Sequence, residues 1–255
     1  MLLIITGCII VDKGMPYVNL RDKETRLADY IKTIRWAIDE TAFNDIIFCD
    51  NSNYDFGIND EFKQLIDKSI EAAKNLELYS FQGDVAAINE RGKGYGEGEI
   101  LKYIYNHSKL MKEYGYFYKI TGRLTINNIN KVVLSEKKEN IFIFDVRREE
   151  IDTRFYKMKT EDYQKNFMEI YKKTNDMVGV YLEHLYYPIL YMNRIPFCRF
   201  NRSLEFRGIS GTTGNCYDYH FKENKITEMI YQSFLYKTYF GRKILRRISK
   251  LVIKS

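Results

Sequence analysis

Proline is scarce: the chain has three in 255 residues, beside fifteen glycines. Long disordered linkers, which are rich in both, are therefore not expected. The four cysteines, Cys8, Cys49, Cys198 and Cys216, show no CxxC spacing. No zinc site or disulfide framework is visible, which fits a reducing compartment. Cys8 and Cys49 lie in apolar runs and read as small buried hydrophobes. The N-terminal run MLLIITGCIIV is short of the roughly 20 apolar residues a membrane-spanning helix needs, and it lacks the positive region of a signal peptide. A buried first strand is the better reading. No DxD stands out, since Asp50-Asn51-Ser52 lacks its spacing, so carboxylate-rich Mg²⁺ or Mn²⁺ binding is not indicated.

What is present is an ordinary globular composition, 45% apolar and 29% charged. The length suffices for one large domain with a full core. The 22 tyrosines and 16 phenylalanines fit an aromatic core better than ring-stacking sites. The net charge is +6, and it sits at one end. Residues 237–255 hold Lys237, Arg242, Lys243, Arg246, Arg247, Lys250 and Lys254 and no acid, so the remainder is close to neutral. Ile244, Leu245, Ile248, Leu251 and Val252 recur at helical spacing, opposite Lys243, Arg246, Arg247, Lys250 and Lys254. This predicts a basic amphipathic helix suited to an anionic membrane surface. The plainer reading packs its apolar stripe on the body. The basic region is too short and terminal for nucleic acid to be the expected partner.

Along the chain, strand and helix patterns alternate. A covered strand opens the sequence. Leu27, Ile31, Ile34 and Ile38 give a helical stripe, capped by Asp22 or Thr25. Then come a strand at 46–53, a helix at 58–76, a strand at 77–83, a glycine-rich loop, a helix at 96–113 and a strand at 115–122. That order predicts a mostly parallel α/β sheet with right-handed crossovers. Further on, 141–158 reads as two short strands around a charged turn. Residues 161–174 read as a helix, 178–190 as a helix stopped by Pro188, and 194–214 as strand-like. Polar clusters fall at the strand ends: Thr6-Gly7, Asp50-Asn51-Ser52, Gly92 to Glu99, and Lys119 to Arg123. An open α/β sheet binds ligands at the carboxyl ends of its strands, so these clusters are expected to meet in one crevice.

The loop GKGYGEG is neither a Walker loop nor a dinucleotide fingerprint. Its glycines and the helix start behind it still suit a phosphate or ribose, with Lys93 adding a cation. The alternative is a flexible surface loop. Lys119 and Arg123 flank Thr121-Gly122 and could neutralise a departing diphosphate; as plain surface cations they would not. Asp152, Glu183 and His184 are the candidates for a general base at an attacking hydroxyl. Against this, Asp152 could simply pair with Arg154, and Glu183 could cap or face solvent.

The combination LIITGCI, RLADYIKTIRWAI, IIFCDNSNYD, GKGYGEGEILKYIYNHS, YFYKITGRLTINNI, DTRFYK and YLEHLYYPIL resembles bacterial polysaccharide glycosyltransferases of capsule, O-antigen and lipopolysaccharide clusters. The likeness covers about residues 1–190 and lies in pattern and order. It implies a GT-A-like layout: an α/β half at 1–130 binding a nucleotide sugar, an acceptor-binding half of the same domain at 131–224, and a membrane-associating tail at 225–255. By the same resemblance, Thr6 and Gly7 sit at the nucleotide end of the first strand and Arg26 faces the crevice. Asn51, Ser52 and Tyr54 contact base or ribose. Lys93, Gly94, Tyr95, Gly96 and Glu97 close on the nucleotide sugar. Lys119, Thr121, Gly122 and Arg123 occupy the place of the usual DxD, which leaves metal dependence open.

The expectation is therefore an enzyme at the cytoplasmic face of the cell membrane that passes a sugar from a nucleotide donor to a glycan or lipid-linked acceptor. Two rivals stand beside it: a nucleotidyltransferase acting on sugar phosphates, and a non-catalytic membrane-surface scaffold.

Overall fold

The first strand, β1 (Leu2–Gly7), is buried along its whole length. Leu3 and Ile5 point into one core, while Leu2 and Ile4 point into another. This is the two-residue alternation of a strand covered on both faces, and it explains why the segment reads as continuously apolar. The computed structural model describes residues 1–145 and 149–209, together with Gly214 and Cys216. The expected basic helix at 225–255, with Arg242, Lys243, Arg246, Arg247 and Lys250, lies outside the described residues.

Helix α1 (Lys23–Glu40) begins at Asp22, whose carboxylate accepts the Thr25 N–H at 2.7 Å. It buries the predicted stripe of Leu27, Ile31, Ile34 and Ile38 and leads into β2 (Asp45–Asp50). Helix α2 (Asp60–Glu71) is capped by Asn59 and leads into β3 (Asn75–Ser80). These strands are parallel, β1 to β2 and β2 to β3. The chain then turns back through α3 (Val85–Arg91), α4 (Lys93–His107) and α5 (Lys109–Glu113). It adds β4 (Tyr116–Thr121) parallel to the free side of β1.

Past β4 lie β5 (Leu124–Ile126), α6 (Ile129–Val133), β6 (Ile141–Asp145) and β7 (Glu150–Lys159). Strand β7 is antiparallel to both β4 and β6. The result is a six-stranded mixed sheet, mostly parallel, in the order β3-β2-β1-β4-β7-β6. The chain continues as α7 (Thr160–Asp162), a π turn (Tyr163–Phe167), two 3-10 turns (Ile170–Lys173 and Asp176–Val178) and α8 (Leu182–Met192). Strand β8 (Phe206–Gly208) pairs with β5 in a small second sheet.

Residues of α1, α2 and α6 fill the core on one face, and residues of α4, α5 and α8 fill the other. Right-handed crossovers force this split, because the direction of strand addition reverses at β1. The reversal falls at the carboxyl ends of β1 and β4, the usual ligand position of open α/β sheets. Among the described residues, no helix is long and apolar enough to cross a membrane.

Several expectations need correction. The glycine-rich "loop" is the opening of α4, which begins at Lys93. A Cβ on Gly98 would stand 2.0 Å from the Tyr171 Cβ, and one on Gly96 would stand 2.9 Å from the Asn51 side-chain nitrogen. These glycines let a helix pack closely; they do not keep it open. Pro188 does not stop a helix but lies inside α8, held by the burial of Tyr187 and Leu190 around it. The expected helix at 161–174 is a run of short α, π and 3-10 turns.

Candidate active site

Lys119 is the centre of the arrangement. It lies on β4 opposite Ile4 of β1 and Tyr156 of β7, and it is fully buried. A buried ammonium must be paired and hydrogen-bonded. Its Nζ donates to the Thr121 hydroxyl at 2.9 Å and the Thr153 carbonyl at 2.8 Å, and pairs with Glu97 Oε2 at 2.7 Å. Every donor of this lysine is thereby used. Lys119 cannot reach out to a leaving group as expected; it anchors a carboxylate.

Glu97 comes from α4, one residue past Gly96, where Asn51 approaches the helix backbone. Its second oxygen, Oε1, is buried and accepts no hydrogen bond. Thr153 joins a further carboxylate, donating its hydroxyl to Glu183 Oε1 at 2.8 Å. Burial, and then the neighbouring Glu97 charge, raise the pKa of Glu183 above the ordinary carboxylate range. Asp176 is buried at the start of α4, where it accepts the Gly94 N–H at 3.3 Å; burial raises its pKa too. Lys93 lies among Asp176, Glu183 and Glu97, and burial lowers its pKa against their pull.

Arg123 closes the group at the end of β4. Gly122 donates its N–H to the Thr6 carbonyl at 2.9 Å, and a Cβ there would stand 2.5 Å from that oxygen. The strand ends are thus held tightly together, and Arg123 follows with a φ of +71°, a conformation uncommon outside glycine. Its side chain is 8% exposed and lies 3.9 Å from Asp29. Nε and Nη1 are buried and donate no hydrogen bond. The Arg123 charge adds to the burial that lowers the pKa of Lys93.

The expected site residues therefore divide. Thr6, Gly7, Asn51, Lys93, Gly94, Gly96, Glu97, Lys119, Thr121, Gly122, Arg123 and Glu183 converge around the strand ends. Others are committed elsewhere. Arg26 is spent on the Cys8 carbonyl, at 2.8 Å from Nε and 2.5 Å from Nη2, and on the Leu20 carbonyl. The Ser52 hydroxyl is bound to the Asp50 carboxylate, and Tyr54 is packed in the core against Phe56 and Phe62. The Tyr95 ring meets Tyr171 edge-on. Asp152 pairs with Arg154 at 2.5 Å, the plainer of its two readings. His184 Nε2 faces Glu150 at 3.2 Å, and Nδ1 lies 3.2 Å from the Gly179 carbonyl. Sequence reasoning missed Asp176 and Thr153. Thr153 stands inside the quoted DTRFYK and Asp176 ends the polar run 172–176, but both join the group only through contacts distant in sequence.

No protein-family model matches the chain, and no curated protein matches it significantly.

Proposed function

We propose that the protein is a glycosyltransferase, GT-A-like in layout, that moves a sugar from a nucleotide donor to a hydroxyl of a glycan or lipid-linked acceptor in bacterial surface polysaccharide synthesis. The observation that carries this reading is a pair of buried groups near the carboxyl end of β4 without hydrogen-bond partners: Nε and Nη1 of Arg123, whose nearest acid, Asp29, is 3.9 Å away, and Glu97 Oε1. Buried polar atoms are rarely left without partners, so such atoms call for an explanation. One group needs an anion and the other needs a hydroxyl. A phosphorylated donor and an alcohol acceptor supply both.

In this mechanism the anomeric C–O bond to the diphosphate breaks as the acceptor oxygen bonds to the anomeric carbon. Arg123 and Lys93 take up the charge gathering on the leaving diphosphate, a role for preorganised donors in a site shielded from water. Glu183 accepts the acceptor's proton, its raised pKa bringing it closer to working pH. Glu97, fixed by Lys119, orients a sugar hydroxyl. Cationic stabilisation here stands where the usual enzyme of this layout has a DxD.

The test is thermal stabilisation by UDP, GDP, CMP and dTDP sugars, each with EDTA and with Mn²⁺. Ligand at 100 times its Kd adds about 2.7 kcal/mol. One nucleotide class should stabilise wild type, and Arg123→Met should lose most of that stabilisation. A chain that responds to none of these nucleotides is not such an enzyme, and the scaffold reading then takes its place.

A further inference from the structure

Helix α8 is apolar on both faces. Leu182, Tyr186, Tyr187 and Leu190 are buried in the core under the sheet, and Glu183 turns inward with them toward Thr153. The opposite face should be polar in a helix bounded by water. Instead it carries Tyr181 at the cap, then Leu185, Pro188 and Met192, all within about 60° at 3.6 residues per turn. Tyr181 and Pro188 are exposed, and Met192 is 80% exposed. The turn before the helix adds two more exposed apolar side chains, Met177 and Val178, the latter 71% exposed. Exposed cations border it: Lys172 and Lys173 before the turn, and Arg194 after the helix. Lys172 is paired with Glu169, whereas no ion pair engages Lys173 or Arg194 among the described residues.

We propose that the stripe Met177-Val178-Tyr181-Pro188-Met192 lies in the interface of an anionic lipid bilayer. Two observations select lipid over other partners. Exposed cations outnumber exposed acids at its borders, where Glu169 is held between Lys102 and Lys172 while Lys173 and Arg194 stand exposed, and the chain's main excess of charge, residues 237–255, is basic as well. A peptide-like apolar face ringed by cations is the pattern of an interfacial helix. The second observation is position. Asp176 precedes the stripe and binds the start of α4, and Glu183 on the same helix faces the candidate site. Docking α8 on lipid therefore holds the crevice about one helix diameter, roughly 10 Å, from the surface, within reach of a lipid-linked hydroxyl. The identity of that acceptor rests on the glycosyltransferase reading; the docking itself does not.

The experiment is flotation of the full chain with vesicles of phosphatidylcholine alone or with 30% phosphatidylglycerol. Wild type should float with the anionic vesicles. Val178→Asp/Met192→Asp, two exposed positions, should weaken partitioning about tenfold, because carboxylates are repelled by anionic lipid and resist burial in the interface. Its melting temperature and its response to nucleotide sugars should match wild type. A Val178→Trp chain supplies a second readout. Trp36, the natural tryptophan, is buried in α1, so brominated lipid should quench only the new indole. The proposal is overturned if wild type ignores anionic vesicles, if the double variant floats as wild type does, or if light scattering shows the double variant dissolving a dimer. In the last case the stripe is covered by a second copy. A positive nucleotide response alongside any of these would leave the glycosyltransferase reading standing, and a negative one with lipid binding intact would remove that reading alone.

Discussion

Lys119 shows how a buried charge acquires a role that its sequence neighbours do not announce. The segment KITGR presents Lys119 and Arg123 as equivalent cations, four residues apart. Alternation alone would keep residues four apart on one face; the strand's end separates them, since Lys119 meets Glu97 of α4 and is enclosed, while Arg123 lies past the strand with a φ of +71°. Lys119→Met should therefore destabilise the protein by about 3–5 kcal/mol, because Glu97 is left charged and buried without its partner. Adding Glu97→Gln should restore a large part of that loss. Urea unfolding of the two variants checks both claims; a single variant as stable as wild type would refute the pairing. Glu183 gives a pH signature. Its folded pKa is raised, so the folded state holds the proton more tightly than the unfolded state does. Its contribution to stability is then fully present below the unfolded carboxylate pKa and is lost as pH rises through the folded value. Glu183→Gln keeps an acceptor for Thr153 and carries no charge. The variant should gain on wild type as pH rises above the unfolded carboxylate range, until the folded carboxyl has ionised, and urea midpoints at intervals from acid pH upward would show it.

At the level of elements, α4 is the clearest case of packing overriding local preference. A tract with three glycines in five residues reads as a loop, since glycine disfavours helix by about 1 kcal/mol each. The contacts to Asn51 and Tyr171 invert that reading, because only a bare Cα fits between them. Gly98→Ala should cost about 1–3 kcal/mol through overpacking. Gly115→Ala, with nothing within 4 Å of its added methyl, should stay within about 0.5 kcal/mol of wild type. Chemical denaturation of the pair separates steric from conformational causes. The elements with uniform apolar periodicity, β1, α1 and β2, were legible from the sequence to within a few residues. Of the two caps the sequence offered for α1, Asp22 and Thr25, Asp22 is the one that forms. The short turns at 160–178 and the proline inside α8 were not legible, because tertiary contacts alone hold them.

For the whole molecule, the alternation of strand and helix was enough to anticipate the sheet and to bring four distant polar clusters to one crevice. It did not reveal which clustered residues are spent: Arg26 is bound to the Cys8 carbonyl, and for Asp152 the sequence offered the Arg154 pair and a general base side by side. The two cores are independent layers on either side of the sheet. Ile34→Ala on the α1 side and Leu101→Ala on the α4 side should each cost about 2–5 kcal/mol. With no shared neighbours, the double variant should sum them within about 0.5 kcal/mol. A larger departure in unfolding free energy would mean that the sheet transmits strain between its faces.

The strand order has a consequence for synthesis. β1 emerges first from the ribosome and can pair with β2 early, yet its other edge waits for β4. About 70 residues separate the end of β2 from the end of β4, which is roughly 4–14 s of translation at 5–20 residues per second. During that interval a central, mostly apolar strand presents an open edge, the kind that recruits other chains. Nascent chains halted near residue 110 should engage chaperones or aggregate far more than chains halted beyond 200, where β4 and β7 have both left the exit tunnel. Pelleting and crosslinking of stalled complexes would show the difference.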